Sequence, residues 1–142
     1  MSVDNPGPFQ LTKGGNAFAI SGAGTIVGDW ITGFDGIDAA SFQIQFIYGA
    51  GGSTVFVYIQ TSIDQGQTPI DIWAEEFTTS SGTLFVNLSA LDKLTTPTVP
   101  SNLALGSGAT VDGILGERFR AVVVSTGAYT GATIANVTGQ AR

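Results

Sequence analysis

The chain has 142 residues, a formal net charge of −6, only 11% charged residues, and neither His nor Cys. No Ser-His-Asp or Cys-His nucleophile can be assembled from it, and no imidazole or thiolate site for zinc, iron or copper. Its five basic residues, Lys13, Lys93, Arg118, Arg120 and Arg142, form no stripe of the kind that phosphate binding needs, so nucleic acid is not an expected partner.

The first residues, MSVDNPGPF, carry an acid and two prolines where a signal peptide needs basic and then apolar residues. They read as an extended N-terminal arm over 1–8, followed by one domain over 9–142. Phe9-Gln10-Leu11-Thr12 alternates apolar and polar, and Ala17–Ser21 alternates again after Gly14-Gly15. Thr25–Ile31 predicts a further short strand, and Gly33-Phe34-Asp35-Gly36 a turn. Over Ser41–Tyr48, Phe42, Ile44, Phe46 and Tyr48 share one face, opposite Gln43 and Gln45. Gly49–Gly52 is expected to close a hairpin into Thr54–Thr61. That strand is apolar on both faces, Val55, Val57 and Ile59 against Phe56 and Tyr58, and so should be covered on both sides.

Ile70–Glu76, Thr83–Ser89, Glu117–Ser125 and Ala132–Thr138 predict further strands, with a turn at Gly127–Gly131 before the last. Residues 90–116 hold two prolines and no sustained period, a loop longer than a compact domain normally keeps without a purpose. No window reads as an amphipathic helix, and none holds the 18 continuous apolar residues of a membrane span, so no membrane partner is expected. Seven to nine short strands separated by turns fit an all-β chain, a single antiparallel β-sandwich or jelly roll.

Ser62-Ile63-Asp64-Gln65-Gly66-Gln67-Thr68 matches Ser-x-Asp-x-Gly-x-Thr and resembles an Asp-box. Ser62, Asp64, Gly66 and Thr68 are thus a structural turn, with Asp64 bonded to backbone amides and glycine supplying positive φ. The box occurs once, and Pro69 replaces the usual aromatic, so a rigid hairpin is implied rather than a glycosidase. Asp71, Glu75 and Glu76 are the densest carboxylates. A glycosidase pair stands about 5–10 Å apart, whereas Asp71 and Glu75 on one strand lie roughly 13 Å apart. Glu75 and Glu76 point to opposite faces. No EF-hand spacing is present, and no cofactor is expected.

Trp73 shares a strand face with Asp71 and Glu75. If Ile70 and Ile72 face the core, Trp73 points outward as an interface anchor; a bulge would put it in the core instead. Trp30 and Phe34 sit in glycine-rich turns, as contacts or as plugs at the end of the sandwich. Phe9 and Leu11 follow the arm as apolar anchors, and Phe56 and Tyr58 exceed what one core can use. These seven residues are the candidate interface, with self-association as a trimer the expected outcome.

TVFVYIQTSIDQG within Thr54–Phe77, VNLSAL, and DGILGERFRAVVVSTGAYTGATI over Asp112–Ile134 resemble small structural proteins from virion gene clusters of tailed bacteriophages. The likeness spans most of residues 40–135, with Pro69 standing where Trp would be expected. It implies a non-enzymatic virion component on the capsid exterior, present in the host cytoplasm during assembly. A decoration (cement) protein that binds the major capsid protein and itself, often as a trimer, fits best. A neck, tail or fibre-base component is an alternative. A carbohydrate-binding β-sandwich with Trp30 or Trp73 as platform is another.

Overall fold

The computed structural model describes residues 7–142, which form strands, turns and loops without a helix. In chain order the strands are β1 (Gly7–Leu11), β2 (Phe18–Ala19), β3 (Gly24–Val27), β4 (Ile31–Thr32), β5 (Ala39–Ile47) and β6 (Ala50–Gly51). Then follow β7 (Thr54–Ser62), β8 (Ile70–Phe77), β9 (Gly82–Ser89), β10 (Arg118–Thr126), β11 (Tyr129–Thr130) and β12 (Ile134–Ala141). One sheet runs β1-β12-β5-β9 with β2 beside β12. The other runs β3-β10-β7-β8 with β4 beside β10, and β6 pairs with β11. Every pairing is antiparallel, and the two sheets pack as a β-sandwich.

Period-two alternation builds the core. Phe42, Ile44 and Phe46 of β5 meet Val55, Val57 and Ile59 of β7, Phe119, Ala121 and Val123 of β10, and Ala135 and Val137 of β12. Each large side chain buried this way contributes about 1.5–3 kcal/mol. At one end Phe9 packs on Phe34 with ring centroids 4.6 Å apart, and Phe34 on Phe119 at 5.0 Å. At the other, Phe46 stacks on Phe77 at 5.0 Å, and Tyr129 meets it edge-on at 6.2 Å.

The expected hairpin between Ser41–Tyr48 and Thr54–Thr61 does not form. β5 and β7 belong to different sheets, so Gly49–Gly52 carries the chain across the sandwich. Gly127–Gly131 crosses back between β10 and β12, and the two corners clasp through Gly51↔Tyr129 and Ala50↔Thr130. Alternation marks a strand but does not name its partner. The clasp explains the glycines: a Cβ on Gly49 would lie 2.1 Å from the Gly131 oxygen, and one on Gly52 2.3 Å from the Tyr129 ring.

The expected arm over 1–8 falls mostly outside the described residues. Within them, Gly7 and Pro8 already belong to β1, paired to Ala141 and Gln140 of β12. Thr25–Ile31 divides into β3 and β4, with Gly28 between them donating its N–H to the Ala121 oxygen at 2.8 Å.

Candidate functional site

The long loop after β9 explains why β7 is apolar on both faces. Leu103 and Leu105 lie over Tyr58, Ala74 and Val122 on the outer face of the β3-β10-β7-β8 sheet, beside Phe56. The same segment lines the free edge of β8. Asp71 N–H donates to Ser101 O at 2.8 Å, Ala74 N–H to Ala109 O at 3.2 Å, and Gly108 N–H to Ala74 O at 2.8 Å. Val111 N–H donates to Ile72 O at 2.9 Å. The cover expected on both faces of β7 thus comes from the second sheet on one side and the chain's own loop on the other.

A polar relay fixes this loop. Arg120 stacks over the Trp30 ring, 4.4 Å from its centroid, and donates through Nε to Gln60 Oε1 at 2.8 Å. Gln60 Nε2 uses its two hydrogens on Asp71 Oδ1 and Asn102 Oδ1, both at 2.8 Å. Asp71 accepts the backbone N–H groups of Leu103 and Ala104 at 3.0 Å and of Leu105 at 3.2 Å. Gln60 and Asp71 are fully buried, and among the described residues no buried side-chain polar atom lacks a partner. Burial of the Arg120 guanidinium lowers its pKa. Burial raises the Tyr58 hydroxyl, with the Asp71 and Glu76 charges adding to it.

Beside the relay lies the β7–β8 turn. Ser62 Oγ donates to Asp64 Oδ1 at 2.8 Å and accepts the N–H of Gly66 at 2.8 Å, while Thr68 N–H donates to Asp64 Oδ1 at 2.8 Å. Gln65 and Gly66 have φ of 64° and 90°, which suits the glycine. The bonds from Thr68, then Ser62, hold the Asp64 carboxyl down at about 2. Arg118 Nη1 reaches Gln65 O at 3.1 Å, and its Nε pairs with Glu117.

Trp73 is in the core. A bulge between Ile59 and Gln60 sets Ile59 opposite Trp73 and Gln60 opposite Asp71, leaving Ile72 as the extra residue. Ile72 and Trp73 then both join the core, and Trp73 Nε1 donates to Glu75 Oε2 at 2.9 Å. Of the two placements the sequence left open, the bulged one holds, and Trp73 is not an interface anchor. Leu11 and Phe34 are core residues too, and Phe9 packs half-buried against Phe34, Phe42 and Phe119. Phe56 stacks on buried Tyr58 at 5.6 Å. Trp30 stays half-exposed, with Arg120 on its ring. The sequence-chosen interface is thus mostly this chain's own packing; buried Trp73 offers no sugar platform, and Arg120 takes one face of Trp30.

The exposed large apolar side chains lie elsewhere: Ile63 in the Asp64 turn, Leu91, Leu94 and Val99 in the long loop, Leu84 and Phe85 on β9, with Val27 and Ile47. Ile63, Ile70, Leu94, Val99, Pro100 and Val111 line an apolar groove of about 590 Å³ beside the relay. Val99 is 87% exposed and Ile63 68%. Phe85 lies on the face of β9 opposite Leu84, Val86 and Leu88, as strand alternation requires; the loop residues carry no period.

The carboxylates do not converge. Asp71 is occupied by amide donors and Glu75 by Trp73, while Glu76 is exposed. Asp92 and Asp112 share a hydrogen bond that raises Asp92; the Ser89 N–H helps to lower Asp112. Among the described residues no three His, Cys, Asp or Glu side chains gather to hold a metal. No family model matches the chain, and neither curated proteins nor solved structures gave a match.

Proposed function

We propose that the chain is a non-enzymatic structural protein that docks on a larger assembly through the apolar groove and its rim. The observation that carries this reading is Ile63 and Val99, exposed side by side with Leu94 around an apolar groove on a sandwich whose covering loop is tied down by Asp71. A sparsely charged molecule that presents such a rim is built for contact with protein rather than for solvent alone. Asp64 and Asp71 beside the groove are already bonded within the chain, which fits a part that holds shape.

The narrower reading follows from the phage-like sequence over residues 40–135. The assembly would be a tailed-phage virion and the chain a capsid decoration protein, bridging major capsid subunits on the exterior by many repeated contacts. A neck or tail position on the same virion is the second form of this reading. Adding the purified protein to expanded capsids that lack it tests the docking surface. Wild type is expected to co-sediment, and Ile63→Asp with Val99→Asp to lose binding while keeping its melting behaviour. Full binding by that double variant would remove the groove as the docking surface.

A further inference from the structure

β9 is an open edge. It pairs with β5 alone, in continuous register from Ala39↔Ser89 to Phe46↔Gly82. The direction of its backbone groups is fixed by Ser89, whose N–H donates to Asp112 Oδ1 at 2.6 Å and whose oxygen accepts the Gly113 N–H at 2.9 Å. Ser89 therefore turns its backbone away from β5. In an antiparallel strand this alternates, so Thr83, Phe85 and Asn87 also turn their N–H and C=O groups to the open side. Among the described residues nothing pairs with them.

The other edges are guarded. Residues 101–111 line β8. Pro8 interrupts β1, and β3 and β4 are short. Among the described residues only β9 is a long edge without proline, bulge or charge. Such an edge is a template for another strand. Its side chains say where that strand lies. Leu84 and Phe85 point to opposite faces of the sheet and are 40% and 82% exposed. A partner on either face would cover one of them; a strand added alongside covers both.

We propose that the occupant is β9 of a second copy, paired antiparallel across a two-fold axis at Phe85. This register alone sets all three outward residues against outward residues, Phe85 opposite its own equivalent and Thr83 opposite Asn87, and leaves Ser89 to its loop. Three such pairs supply about six backbone hydrogen bonds. Leu84 then lies against the copy's Val86 on the inner face. The strand carries no charge, so self-pairing brings no like charges together despite the net charge of −6. The inference stands apart from docking: a protein that dimerises and never binds a capsid leaves it intact.

Sedimentation equilibrium at micromolar concentration tests it, with wild type expected as a dimer. Phe85→Lys sets two ammonium groups against each other and is expected to weaken dimerisation by at least about tenfold. Phe85→Glu should do the same. At concentrations low enough for wild type to be monomeric, both should melt like it, since residue 85 is outside the core. An equimolar mixture of the two should dimerise again. A wild-type monomer or trimer, a dimer unaffected by Phe85→Lys, or a mixture that stays monomeric overturns the proposal.

Discussion

Gln60 Nε2 meets Asp71 Oδ1 at 2.8 Å, and both side chains are fully buried on a sheet face that would otherwise be solvent-facing. The pair joins β7 to β8 and, through Asp71, gathers the backbone of residues 103–105. Asp71→Ala leaves three backbone N–H donors and one hydrogen of Gln60 Nε2 unanswered and should cost about 3 kcal/mol. Asp71→Asn should cost nearly as much, because its NH₂ must face at least one of those donors. Urea unfolding reads the cost, and hydrogen exchange should show amides 103–105 losing protection. Wild-type stability in Asp71→Asn would mean that the relay does not hold the loop.

Asp64 makes stability depend on acid. Its folded pKa, about 2, lies below the ordinary 3.8. The unfolded chain therefore binds a proton that the folded chain refuses between these values. The contribution of Asp64 is complete above about pH 4 and lost as pH falls through about 2. The difference in urea midpoint between wild type and Asp64→Ala should shrink over that window. A difference independent of pH would assign the effect of the substitution to something other than the carboxylate.

The corner clasp requires Gly49. A Cβ there meets the Gly131 oxygen at 2.1 Å and the Thr130 oxygen at 2.5 Å, both backbone atoms that cannot swing aside. Gly49→Ala should cost about 2 kcal/mol or more. Gly106→Ala, where nothing lies within 4 Å, should change stability by less than about 0.5 kcal/mol. Equal melting temperatures for the two variants would remove the clasp as a constraint.

What could be read in the sequence was local. The alternation of Phe42, Ile44 and Phe46 named a strand and its buried face, and the Ser62–Thr68 spacing named a turn whose bonds lie within seven residues. What could not be read depended on distant partners. Nothing in Gly49–Gly52 distinguishes a hairpin from a crossing between sheets. Trp73 lost its outward face to a one-residue bulge against Ile59 and Gln60. The cover over Tyr58 came from Leu103 and Leu105, in a loop without period. Interface candidates picked as surplus apolar residues were therefore mostly consumed by the fold, and Val99, the most exposed large apolar side chain among the described residues, lay in a loop where no pattern marked it.

A structural part of an assembly is present in it at fixed stoichiometry. On the virion reading proposed above, quantitative mass spectrometry of purified tailed-phage particles assembled with this chain gives its copy number relative to the major capsid subunit. A decoration protein should be present at a copy number that scales with the capsid lattice. A single ring's worth of copies would move the chain to the neck or tail, and its absence from washed particles would contradict a structural role in the virion.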